Sequence, residues 1–282
     1  MPRTPFIRSV FHPSDFSEAS RNAFMHAMAI VLYYHGGLTV LHVASSGEPK
    51  SVWLDSPLVR ETLERWRLLE PDSERAAVYS KLSMQISKII IRSDTLLEPI
   101  LNGLEKNPSD LLVLATEGRQ GLPRWLKPSV AEGVSRRVKV MTLFVPATTR
   151  GFVDPDDGFI SLKRILVPVD HHPDPAQAIL SAARAAVMSH EENVQILLLR
   201  VDDANVWPEM DMPKLETCTW KRLWVHGDTV EQIVSAAQDY SVDLIVMGTE
   251  GAKGVLGALR GSVTEQVLRQ APCPVLAVPD RK

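Results

Sequence analysis

A chain of 282 residues, 45% apolar and 23% charged, is long enough for two ordinary domains and has the profile of a soluble globular protein. Its net charge of −3 argues against nucleic-acid or anionic-membrane binding driven by bulk charge, and it holds no apolar run long enough to span a bilayer. With only Cys218 and Cys273, and no apolar leader at its start, the chain is expected in a reducing cytoplasm, with no disulfide framework.

Taken in order, residues 7–11 read as a strand closed by His12-Pro13-Ser14-Asp15. Ser17 can cap a helix running to about Tyr34, with Ala23, Phe24, Ala27, Met28 and Val31 on one face, and Gly36-Gly37 is expected to stop it. Residues 38–44 predict a second strand, 57–80 a helix with a break near Pro71, and 83–92 a third strand. Asp94 is expected to cap a helix ending near Lys106. Residues 111–115 form a fully apolar fourth strand, Ser129 opens a helix with the capping box SVAE, and 141–145 predict a fifth strand. A stretch rich in Pro, Gly and Asp follows, so residues 147–162 are read as a linker between domains 1–146 and 163–282.

The plan then restarts. Strands are expected at 164–169, 194–201, 217–225, 243–247 and 274–278; helices follow Asp174-Pro175, Asp228 and Ser262. The halves are an internal repeat: HPSD at 12–15 matches VPVD at 167–170, DLLVLATEG at 110–118 matches DLIVMGTEG at 243–251, and MTLFVP at 141–146 matches PVLAVP at 274–279. Apolar strands alternating with helices predict a parallel sheet covered on both faces in each half. Ligands of such a sheet sit beyond the carboxyl ends of its strands, where the strand order reverses. If the first and fourth strands flank that point, residues 168–170 and 248–251 face one crevice.

The richest chemistry lies between the strand at 243–247 and the helix after Ser262. Gly248, Gly251 and Gly261 punctuate this loop, and Ser262 follows directly. Glycines let a backbone approach phosphate without a Cβ in the way, and the free N–H groups of a helix start favour an anion. Ser262 and Glu265 also satisfy a structural capping box, which leaves the three spaced glycines unexplained. The loop therefore reads as a phosphate-binding site.

Together, the glycine pattern after DLIVMG and the ILVPVD opening resemble the universal stress protein family, and within it the ATP-binding class with tandem domains. The likeness covers residues 5–146 and 163–279. It implies an α/β, Rossmann-like fold of the adenine-nucleotide-hydrolase type: two five-stranded parallel sheets of order 3-2-1-4-5 between helices. It implies that Pro168, Val169 and Asp170 line a nucleoside pocket, with Asp170 near the ribose; that Val201 contacts adenine; and that Met247 and Gly248 flank base and ribose. Gly251, Gly261, Ser262 and Val263 would then bind phosphates, aided by Thr264. ATP, or ADP or AMP, is the implied ligand, with Mg²⁺ entering only through the nucleotide. Family members pair through the fifth strand, so 141–145 and 274–278 are expected to pair within this chain, and two chains could assemble into a homodimer.

Two departures bear on the implied site. Glu250 puts a carboxylate in the phosphate loop, which needs a cation between it and a phosphate. In the first half Ala115 replaces the first glycine and Pro128 the one before Ser129; proline removes an N–H donor, so this loop reads as degenerate. The adjacent His171 and His172 read as loop residues rather than metal ligands, and Trp207, Trp220 and Trp224 as core or domain-contact residues. A nucleotide-binding protein of stress response or regulation is the leading reading. An interaction module without nucleotide and a slow ATPase are the alternatives.

Overall fold

The computed structural model describes residues 6–45, 47, 58–71, 73–74, 76–116, 140–147, 149, 151–202, 206–249 and 263–280. The first half contributes β1 (Ser9–Pro13), α1 (Glu18–Tyr34), β2 (Gly37–Ala44), α2 (Leu58–Arg65), α3 (Ala76–Leu82), β3 (Gln85–Arg92), α4 (Leu97–Lys106), β4 (Leu111–Thr116) and β5 (Met141–Pro146). The second contributes β6 (Arg164–Pro168), α5 (Ala176–Met188), β7 (Val194–Val201), β8 (Cys218–Val225), α6 (Thr229–Asp239), β9 (Leu244–Thr249), α7 (Val263–Gln270) and β10 (Val275–Pro279). None of the described helices is long and apolar enough to cross a membrane.

All ten strands form one sheet, in the order β3-β2-β1-β4-β5-β10-β9-β6-β7-β8. Within each half the strands are parallel and follow the expected 3-2-1-4-5 order. The halves join where β5 and β10 run antiparallel, with Val275 opposite Phe144, Leu276 opposite Leu143 and Ala277 opposite Thr142. The expected intrachain pairing is thus present, and it merges the two sheets into one.

The repeat extends to backbone detail. Val10 lies opposite Leu111 in the first half, and Ile165 opposite Leu244 in the second. The Asp110 carboxylate accepts from the Arg8 and Ser9 N–H groups, at 2.7 and 3.1 Å. Asp243 does the same for Lys163 and Arg164, at 2.7 and 2.8 Å. These repeated aspartates satisfy N–H groups at the first-strand starts and lock the first strand against the fourth.

One apolar cluster covers one face across both halves. It joins Phe24, Met28 and Val31 of α1 to Ile179, Ala182 and Ala186 of α5. The other face carries two clusters, under α4 in the first half and under α6 and α7 in the second. Tyr33 of α1 donates its hydroxyl to the Val187 carbonyl at 3.1 Å, a direct tie between the halves. The segment 147–162 packs into the shared cluster rather than hanging free: Phe152, Val153, Ile160 and Leu162 are buried, and Val153 bridges Ile160. His26 clamps it to α1, its Nδ1–H donating to the Asn22 carbonyl at 2.8 Å while Nε2 accepts the Phe152 N–H at 3.1 Å.

Several local expectations need correction. The helix expected at 57–80 with a break near Pro71 is two short helices, α2 and α3; Pro71 does lie between them, but the first helix already ends at Arg65, where Trp66 and Leu69 turn inward and bury against the core. Ser17 caps α1 as expected, accepting from the Ser20 N–H. The stop is His35, in the left-handed region at φ 51°, and not the glycines. Gly36 has a different job: a Cβ there would lie 2.6 Å from the Arg8 carbonyl, so only glycine allows this approach. Leu96 rather than Asp94 occupies the N-cap of α4. Trp207 and Trp220 pack on the shared cluster, whereas Trp224 is exposed, its indole N–H donating to the Asp202 carbonyl at 2.9 Å. The helix expected after Ser129 lies outside the described residues.

Candidate functional site

In the second half the strand order reverses between β6 and β9, and both strands end at the same edge of the sheet. After β6 the ladder runs on by one residue: Val169 N–H donates to the Leu199 carbonyl of β7 at 2.9 Å, which fixes the position of Asp170. Beside it β9 ends through Met247 and Gly248, with Pro173 packed 3.4 Å from where a Gly248 Cβ would stand. Asp228 caps α6, accepting from the Val230 and Glu231 N–H groups at 3.0 Å, and so sets Thr229 and Ile233 against the strand ends.

These elements enclose a cleft of about 160 Å³. Its lining includes Pro168, Val169, Asp170, Val201, Met247, Gly248, Val263 and Thr264, every described residue among the candidates drawn from the sequence. Leu199, Thr229, Ile233 and the loop residues His172, Pro173 and Pro175 complete it. The remaining candidates, Glu250, Gly251, Gly261 and Ser262, lie outside the described residues. Both ends of their loop, Gly248 and Val263, border the cleft. Glu265, expected to reciprocate Ser262 in a capping box, is buried and bonds Arg269 one turn on.

Apolar walls, a carboxylate and two threonines suit a flat, partly apolar ligand that carries hydroxyl groups. Asp170 is that carboxylate, and its side chain is 60% exposed. Behind it stands Arg200, the one charged residue in the β7 run VQILLLRV, whose side chain is only 6% exposed. Arg200 pairs with both Asp170 and Asp202, and its Nη1 lies 3.5 Å from the Val169 carbonyl. Burial alone would lower the guanidinium pKa; the hydrogen bonds and charges of Asp170 and Asp202 outweigh it and hold the group above its ordinary value. Sequence reasoning overlooked Arg200, although a lone cation in an apolar strand was the available signal. Among the described residues no group of three or more His, Cys, Asp or Glu side chains could hold a metal ion.

The first half treats the equivalent positions differently. Ser14 N–H bonds the Leu41 carbonyl at 2.8 Å, just as Val169 bonds Leu199, which makes Asp15 the counterpart of Asp170 and His42 that of Arg200. His42 Nδ1–H donates to the Ser14 carbonyl at 2.8 Å, and Phe16 stacks on its imidazole at 4.6 Å. Asp15 accepts from the Ser17 N–H and hydroxyl, at 3.0 and 2.6 Å, and so serves the start of α1. The loop of this half that carries Ala115 and Pro128 is described only as far as Thr116.

Comparison with known proteins agrees with this architecture. A sequence profile described as "Universal stress protein family" matches residues 7–146 and 216–279. A universal stress protein of Mycobacterium tuberculosis is 24% identical over 264 residues, which is 85% of this chain and 86% of that protein. Shorter matches are closer in sequence: a Methanocaldococcus jannaschii universal stress protein is 46% identical over 54 residues, 19% of this chain. One from Thermus aquaticus is 45% identical over 56 residues, 20% of this chain. The chain spans only 32% and 41% of the length of these two relatives. Among solved structures, a universal stress protein from Archaeoglobus fulgidus superposes with a TM-score of 0.62 at 18% identity, covering 96% of this chain and 98% of its own. A Pseudomonas aeruginosa protein of unknown function gives 0.63 at 15% identity, covering 97% and 92%. At these identities the structural likeness is one of fold.

Proposed function

This chain belongs to the universal stress protein family, and from that premise we propose that its second half binds an adenine nucleotide, with ATP the first candidate. One observation carries the reading: residues as far apart in sequence as Pro168, Val201, Met247 and Thr264 line one cleft at the strand-order reversal. In this reading Val169, Val201, Ile233 and Met247 sandwich the base, and Asp170 accepts hydrogen bonds from the ribose hydroxyls. The N–H groups of the glycine loop and of the first turn of α7 bind the phosphates, Ser262 adding its hydroxyl. Any Mg²⁺ arrives with the nucleotide and offsets Glu250.

Residues 1–146 and 163–282 are proposed as the two domains, with 147–162 joining them. The first supports the second through the shared sheet; where Arg200 pairs with Asp170 in the second half, His42 carries Phe16 stacked on its ring in the first. Action in stress response or regulation, cytoplasmic residence and association of two chains complete the proposal.

The test is the nucleotide content of the purified, acid-denatured protein, by chromatography and mass, together with the thermal shift on adding ATP and Mg²⁺. Adenine nucleotide near one per chain, or a clear shift, is expected. Substituting Gly261→Pro, which copies the first half, should abolish binding. No bound nucleotide and no shift would overturn the proposal.

A further inference from the structure

The internal repeat supplies a control for the cleft. At one position of the second strand the two halves differ in kind, and the difference falls on the cleft carboxylate: Arg200 pairs with Asp170, whereas His42 donates to the Ser14 carbonyl. Arg200 extends from a strand whose neighbouring residues Leu199 and Val201 line the cleft, but it is not itself among the lining residues. Alternation puts its Cβ on the opposite face, with Ile196 and Leu198. Its guanidinium therefore reaches Asp170 from behind.

The Asp170 carboxylate is used asymmetrically. Oδ1 accepts both from Arg200 and from the His171 N–H, the latter at 2.6 Å. Oδ2 has no partner among the described residues, on a side chain that is 60% exposed. Asp202 holds the other prong of the guanidinium, so the fork cannot rotate away without breaking a second ion pair.

We propose that Arg200 is a positioning residue that locks Asp170 by one oxygen and presents the other, at a fixed place, to the ribose hydroxyls of the nucleotide. This rests on the nucleotide reading above and adds to it the origin of ribose selectivity. Arg200 touches no ligand; it acts only through Asp170. A freely turning aspartate would have to be ordered on binding, whereas a clamped one has already lost that freedom.

The test compares the affinity of the full-length protein for ATP and for 2′,3′-dideoxy-ATP by calorimetry. Wild type should prefer ATP about tenfold or more, the scale of a lost charge-assisted hydrogen bond. In Arg200→Met the preference should fall to within about twofold, with most of the loss on the ATP side. Arg200→Lys keeps the charge that Asp202 needs but cannot engage two carboxylates as a fork, so it should also lose most of the preference. It carries the comparison if the Met variant does not fold. Asp170→Asn should abolish the preference, and adding Arg200→Met to it should change the ratio no further. An unchanged ratio in the Arg200 variants, equal weakening of both nucleotides, or additivity with Asp170→Asn would overturn the assignment. Failure of wild type to bind either nucleotide would overturn the nucleotide reading instead.

Discussion

Acid should loosen the clamp between α1 and the segment 147–162, and one histidine sets the size of the effect. His26 accepts the Phe152 N–H on Nε2 while Nδ1–H donates to Asn22, so only the neutral ring fits both partners. Burial pushes its pKa from 6.5 to about 4, partly opposed by the bond to Asn22. The folded value lies below the unfolded one, so as pH falls the unfolded chain takes up the proton first. The stabilisation is complete above pH 6.5, drains between 6.5 and about 4, and is gone below that. Between about pH 7.5 and pH 5 the loss comes to about 2 kcal/mol, taking ~1.4 kcal/mol per pKa unit. That is a large share of the ~5–15 kcal/mol of a typical domain. Urea unfolding of wild type and His26→Gln at both pH values measures it, because glutamine keeps one donor and one acceptor but does not titrate. Carboxylates and His12 titrate in both proteins, so the difference between the two drops isolates His26. The variant should lose about 2 kcal/mol less than wild type; an equal loss in both would refute the neutral-acceptor argument.

Other consequences are simpler to read. Phe144, 2% exposed on β5 and opposite Val275 across the seam, should cost about 3–5 kcal/mol when cut to alanine, measured by urea unfolding. Gly158 has φ +75°, and a Cβ there would lie 2.6 Å from the Trp66 ring. Gly158→Ala should therefore destabilise by about 1 kcal/mol or more and shift the Trp66 emission; a melting temperature at or above that of wild type would contradict the packing described. Burial pushes the Cys273 thiol up to about 12 and raises that of Cys218 as well. Neither should react with a thiol reagent at about pH 8 in the native protein, while both should on unfolding; rapid native labelling would count against their burial.

The sheet was legible in the sequence because its signal is local. Runs such as DLLVLAT and DLIVMGT are apolar without alternation, the mark of strands covered on both faces; the strand order and the β5–β10 pairing, which came from the family resemblance rather than from any local run, are as expected. The misread details depend on partners distant in the chain. Gly36 resembled a helix stop, but the Arg8 carbonyl is what requires it. Residues 57–80 carry helical spacing, yet Trp66 leaves the helix to donate its indole N–H to the Pro155 carbonyl, 89 residues away, at 3.1 Å. At the cleft, Asp170, Met247 and Gly248 were visible as motif positions. Thr229 and Ile233 were not, since their part depends on how α6 sits against β6 rather than on any pattern in their own segment, and Arg200 left only the mark of a lone cation in an apolar strand, whose target Asp170 lies 30 residues away.

The antiparallel seam between β5 and β10 has a consequence for the halves themselves. Because one chain supplies both edges, their joining is a first-order event, indifferent to dilution. The same ladder between separate chains would come apart once their concentration fell below its dissociation constant. Covalent linkage also frees the halves from having to be identical. Each substitution falls on one side of the pseudo-symmetric pair only, so histidine can stand at position 42 while arginine stands at 200. An enforced homodimer would have to carry the same residue at both places.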